Sequence, residues 1–128
     1  MPIRFVRGIT LIELMVVVAI VAIIAAVAYP SFQNGLQHSR RADAFKTLLT
    51  MQLKQEEFRI SNAEYSKNVA DLGNPNSSYY SFSVVAASTG AATYKLQAQA
   101  IGAQSSDSGC TLLTITKADV KSPPDCWN

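Results

Sequence analysis

The feature that most constrains this chain is a run of fifteen apolar residues, Leu14–Ala28, that carries no charge. Taken with its flanks as residues 9–29, the segment is 21 residues long. Coiled as a helix it spans roughly 30 Å, about one hydrocarbon core. Arg4 and Arg7 precede it, and downstream of it no charge appears until Arg40. By the positive-inside rule the N-terminus stays in the cytoplasm and the remainder is exported. A secretory signal peptide with Ala26-Val27-Ala28 as its A-x-A cleavage site fits this pattern, and so does a plain membrane anchor. Glu13 argues against both. A carboxylate at a helix centre costs about 2.5–3.5 kcal/mol on insertion, less near the end, and such a residue ordinarily has a partner. The bland alternative is an interfacial glutamate that reaches water.

Beyond Tyr29 the pattern changes. Residues 31–60 read as a helix continuing the first. Asp43, Lys46, Thr47, Thr50, Lys54 and Glu57 project onto one arc, with Phe45, Leu48, Leu49, Met51, Leu53 and Phe58 filling much of the rest. That gives a wide apolar face suited to a sheet, with Asp43/Lys46 and Lys54/Glu57 spaced for weak i,i+3 pairing. Pro30 and Gly35 predict a bend or local melting between the two helical segments. Residues 61–78, rich in Asn, Ser, Gly and Pro, read as a loop. The period then drops to two. Tyr80, Phe82 and Val84 alternate with serines; Tyr94, Leu96 and Ala98 alternate with Lys95, Gln97 and Gln99; Thr111–Thr116 follows a polar turn, Gln104–Gly109. The expectation is α+β: a long N-terminal helix, half membrane-spanning and half amphipathic, packed on a three-stranded antiparallel meander, with a fourth strand after Lys117 left open.

Cys110 and Cys126 are the only cysteines. In an oxidising compartment they should pair, closing a loop worth about 3 kcal/mol in the chain-entropy model. No C-x-x-C redox motif, no four-ligand metal set and no phosphate-binding glycine loop is present. His38 has no nearby metal partner, and no nucleophile stands beside a base, so neither catalysis nor a cofactor is expected. Trp127 is expected to pack on the disulfide, and Arg40-Arg41 to be a solvated pair. Eleven basic against nine acidic residues is too balanced for a dedicated polybasic nucleic-acid binder. Lys95, Lys117 and Lys121 could still form a small basic patch near the sheet end and disulfide loop, enough for a weak, salt-sensitive phosphate grip.

Gly8-Ile9-Thr10-Leu11-Ile12-Glu13-Leu14-Met15, followed by the apolar run and Tyr29-Pro30, resembles the class III signal of type IV prepilins. Cys110-Thr-Leu-Leu-Thr-Ile with Lys121-Ser-Pro-Pro-Asp-Cys126-Trp127, and Gln55-Glu56-Glu57-Phe58 with Asn62 and Tyr65, resemble the small minor pilins. The resemblance implies a leader over residues 1–8, an assembly helix over 9–30 and a globular pilin domain over 31–128. It implies cleavage between Gly8 and Ile9 by prepilin peptidase and N-methylation of the new terminus. The first mature residue is more commonly Phe in that family; here it is Ile9.

This resemblance accounts for Glu13. Cleavage exposes an amine on Ile9 and leaves nine basic and nine acidic side chains. In a filament the Glu13 carboxylate of one subunit can neutralise the amine of a neighbour, because an unpaired charge in a dry setting is heavily penalised. The expected function is a structural minor pilin, held in the inner membrane before assembly and then built into an extracellular pilus with other pilins, supporting pilus assembly, twitching motility or adhesion. Its partners are then other pilins and the assembly machinery. The alternatives are a competence pilin that binds DNA in natural transformation and a pseudopilin of type II secretion, which shares the same N-terminus.

Overall fold

The computed structural model describes residues 1–2 and 7–128; Arg4, one of the two cations preceding the apolar run, lies outside the described residues. A single helix, α1, runs from Leu11 to Ser61. It opens on a capping box. The Glu13 amide reaches Thr10 Oγ1 at 3.3 Å, and the Thr10 amide reaches Glu13 Oε2 at 3.5 Å. Reciprocal Thr and Glu caps of this spacing satisfy two of the donors that a helix start leaves free. The local melting expected at Pro30 does not occur, since α1 continues unbroken through Pro30 and Gly35. The interior proline costs about 3 kcal/mol, and helix propagated on both sides of it holds the segment continuous.

Two compact units divide the chain, Met1–Leu36 and Gln37–Asn128. In the first, every described residue from 7 to 32 is exposed, including Leu14–Ala28. Among the described residues nothing covers this surface, and an apolar helix of this length suits lipid or the flank of another helix.

The second unit contains the entire buried core. Ala44, Leu48, Met51 and Gln55 form its helical stripe, spaced so that they lie on one face of α1. The used stripe is narrower than the wide apolar face read from sequence. Leu49 and Leu53 point away from it, at 46% and 72% exposure, and a glutamine completes the buried set. Of the two expected surface pairs, Lys54–Glu57 forms at 2.8 Å, and Asp43–Lys46 is not within ion-pair distance among the described residues.

The sheet consists of β1 (Tyr80–Val84), β2 (Lys95–Ala100), β3 (Leu112–Thr116) and β4 (Lys121–Ser122), antiparallel in the order β1-β2-β3-β4. Phe82 opposes Ala98, which opposes Leu113, and Leu96 opposes Ile115. These inward positions meet the helical stripe, and their partners on the other face are mostly Ser, Gln, Lys and Thr. The three expected strands are present, and a fourth is added. It has only two residues, paired through Thr114–Ser122 and Ile115–Lys121, too few to show a period in sequence. With its core and its disulfide both internal, Gln37–Asn128 has what a unit needs to fold alone.

Candidate functional site

Three places carry the residues that sequence singles out. The first is the start of α1. Gly8 and Ile9 precede the helix and are exposed. Glu13 sits one turn in, also exposed, with its own Thr10 as its partner among the described residues. Both capping contacts are long, which leaves the carboxylate available to a stronger donor.

The second is the disulfide. Cys110 and Cys126 are joined, with Cα atoms 5.7 Å apart. Arg41, expected to be solvated, is instead the bridge from α1 to this loop. Its Nη1 donates to Cys126 O at 3.4 Å and approaches Cys110 Sγ at 3.5 Å. Its Nε lies 3.1 Å from Asp107 Oδ2, an ionic contact without hydrogen-bond alignment, between side chains only 16% and 8% exposed. Gln104 extends the network, its amide nitrogen within 3.0–3.1 Å of Asp107 Oδ2, Tyr80 OH and Gln37 O. The polar turn read from sequence is therefore half interior, because Gln104 and Asp107 are both buried. Arg40 is not free either, since its guanidinium lies 4.0 Å from the centre of the Tyr79 ring. Trp127 stacks on Phe45 of α1, ring centres 4.3 Å apart and 13° from parallel, and packs against the core cluster that includes Cys126.

The third is the end of the sheet where α1 stops. Tyr65 and Tyr94 meet edge to face, 4.8 Å apart. The Tyr65 ring carries two cations, with Lys117 Nζ at 5.1 Å and Arg59 Cζ at 5.9 Å from its centre. Its hydroxyl donates to Glu56, 3.2 Å and 3.3 Å from the two carboxylate oxygens. The Tyr65 hydroxyl beside the Lys117 amine pushes that amine's pKa up, with Glu56 adding to the effect against partial desolvation. Arg59 is fixed by backbone carbonyls, through Nη1 to Asn62 O at 2.7 Å and Nε to Ala91 O at 3.4 Å. Helix end, loop and the β1–β2 turn thus converge on one tyrosine. Gln55 secures the same loop from below, donating to Ser66 O at 2.8 Å and accepting from Ser66 N at 2.9 Å.

The three lysines of the expected patch are divided by the fold. Lys95 pairs with Thr116 on the face away from α1. Lys117 follows on the opposite face, tied to the same end of the sheet through its amide and Tyr94 O at 3.1 Å. Lys121 faces as Ile115 does, with Nζ 3.7 Å from Asp119 and 5.6 Å from the Trp127 ring. Sequence reading missed Arg59, which replaces Lys121 in the cluster. Its signal was its place in the last turn of the helix, where a cation complements the carbonyl end.

A family model described as "Type IV minor pilin ComP, DNA uptake sequence receptor" matches residues 30–114. The chain belongs to this type IV minor pilin family. The prokaryotic N-terminal methylation motif matches residues 3–29 of the pilin. Among solved structures, a type IV pilin from Shewanella oneidensis is similar. It is 28% identical, has a TM-score of 0.57, and the match covers 72% of this chain and 98% of that one. No curated protein matches.

Together the matches cover the processing motif and most of the globular unit, and the expected α+β pilin fold is the observed one. They make the protein a structural minor pilin of a family whose members assemble with other pilins into pili. A class III signal and a long apolar helix fit a membrane-anchored subunit that later enters a pilus. The family match ends at residue 114, so β4, Cys126 and Trp127 lie beyond it.

Proposed function

We propose that this minor pilin is processed between Gly8 and Ile9 and methylated at Ile9. It is held in the inner membrane by residues 9–30 with its N-terminus in the cytoplasm, and it joins the pilus with Glu13 setting its register against a neighbouring subunit. The domain over 31–128 then coats the filament. The apolar surface of Leu14–Ala28, bare among the described residues, exchanges lipid for neighbouring helices, so assembly forfeits no burial. A head-to-tail contact of this kind propagates as an open helix of subunits. The part played is structural and not enzymatic. Glu13→Leu is expected to enter the membrane but incorporate poorly into pili; normal incorporation would defeat the register role.

The globular unit is a DNA receptor, in line with the words "DNA uptake sequence receptor" in the description of its family. The observation that carries this reading is the convergence of Arg59 and Lys117 on Tyr65 at one end of the sheet, with Lys95 leaving the same end. So few cations make a grip that depends on salt, with log affinity falling by about 0.9 per phosphate contact per decade of salt. The test is fluorescence anisotropy of labelled duplex DNA with the Gln37–Asn128 unit across a salt series. Arg59→Ala with Lys117→Ala should weaken binding and flatten the salt slope, and Lys121→Ala should leave both nearly unchanged. Equal effects from all three would extend the site beyond Tyr65 to Lys121 and remove the special place of the Tyr65 cluster. Absence of binding at low salt would leave a purely structural pilin.

A further inference from the structure

The cluster at Tyr65 contains a group that DNA binding has no use for. Glu56 lies three residues before Arg59 on α1, one turn away and on the same side. Its carboxylate is exposed, and among the described residues no cation comes within ion-pair distance of it. What holds it is the Tyr65 hydroxyl, at 3.2 Å and 3.3 Å. The face of that same ring carries Lys117 and Arg59. Tyr65 itself is only 4% exposed, so it is a fixed platform and not a mobile side chain. Tyr94 fixes the platform from below, and its own hydroxyl is pushed up to about 12, by burial first and by Glu56 next. One negative charge and two positive charges thus share one immobile ring, and the negative one occupies the neighbourhood a phosphate must enter.

We propose that Glu56 is an internal competitor of the DNA backbone: through Tyr65 it serves as counter-ion to Lys117 and Arg59 in the free protein, and an arriving phosphate displaces it in that role. The proposal rests on the DNA-receptor reading above and adds its regulation. A surface of this kind binds duplex DNA less tightly than its cations alone would allow. It discriminates against weak, diffuse contact, because only a phosphate seated well enough to outcompete Glu56 gains both cations. Tyr65 is a positioning residue in this scheme: it touches no DNA and sets where the two cations stand.

Glu56→Gln isolates the charge, because its amide oxygen still accepts from the Tyr65 hydroxyl and the platform stays in place. In the Gln37–Asn128 unit, fluorescein-labelled sheared duplex DNA is expected to bind this variant roughly threefold tighter than wild type at low salt. The gain should fade at high salt, as expected for charges separated by solvent. The cluster is also read without DNA. In wild type the Lys117 ε-methylene proton resonances should be shifted upfield by the Tyr65 ring current, and saturating DNA should leave that shift in place, because the ring holds the cation while the phosphate replaces Glu56. Wild-type binding that weakens in Lys117→Ala but is unchanged or weaker in Glu56→Gln overturns the competitor role and leaves the receptor reading standing. No DNA binding by either protein, with the ring-current shift present, overturns the receptor reading and this proposal with it. A missing ring-current shift in wild type overturns the proposal whatever the DNA result.

Discussion

Gln55→Ala tests how the pilin holds its candidate binding loop. Gln55 is fully buried, and its two polar atoms serve one residue, taking the amide of Ser66 at 2.9 Å and giving to its carbonyl at 2.8 Å. Ser66 is 4% exposed, so truncation orphans two backbone groups that water cannot easily reach. Each such group costs about 1–3 kcal/mol, and the lost methylene contacts add somewhat to that. The expected loss is about 4 kcal/mol. For a unit of this size 1 kcal/mol moves Tm by about 4–8 °C, so the midpoint should fall by at least ~10 °C. Thermal melting of Gln37–Asn128 followed by circular dichroism measures it. Gln55→Glu adds a sign. Its carboxylate can still accept from the Ser66 amide but faces the Ser66 carbonyl, and the neutral acid restores the donor. Burial raises the folded pKa of such a group, so the variant should be most stable in acid and lose stability as pH rises through that pKa. A fall of under ~3 °C for Gln55→Ala, or no acid recovery for Gln55→Glu, would refute the idea that this glutamine clamps the loop.

Asp107→Ala leaves the half-buried Arg41 guanidinium without its counter-ion and should cost about 2–4 kcal/mol by urea denaturation, whereas Lys54→Ala at an exposed pair should cost under ~1 kcal/mol. Replacing both cysteines by serine should remove about 3 kcal/mol, the loop-closure value for a separation of 16 residues, seen as a lower urea midpoint. Tyr94 keeps its proton up to about 12 when folded, against 10.0 as its ordinary value. Stability should therefore hold below pH 10 and decline between about pH 10 and 12 as the unfolded chain ionises first, and Tyr94→Phe should blunt that decline in alkaline melts. Phe45→Ala should remove the stacking partner of Trp127 and red-shift its fluorescence while the sheet remains intact.

The apolar helix, its glutamate, the three longer strands and the single pair of cysteines were all legible, because each depends on spacing along one segment. Residues 9–29 are apolar whatever surrounds them, and Tyr80, Phe82 and Val84 alternate whatever they face. The fate of polar residues was not legible in the same way. Arg41 looks like any surface arginine until Asp107 and Cys126 are brought beside it from 66 and 85 residues away. Leu49 and Leu53 look like core until the sheet is seen to meet only the neighbouring stripe.

From the sequence alone came the commitment to a membrane-competent helix within an N-terminal methylation motif, because apolar length and a short local motif need no tertiary partner to be read. Folding alone decided which charges are neutralised and which stand ready. A buried or ring-stacked ion depends on groups that the chain delivers from distant positions, and its energy belongs to that arrangement and not to its neighbours in sequence. Arg59, Glu56 and Lys117 meet at Tyr65 for that reason, although nothing in their spacing announces it.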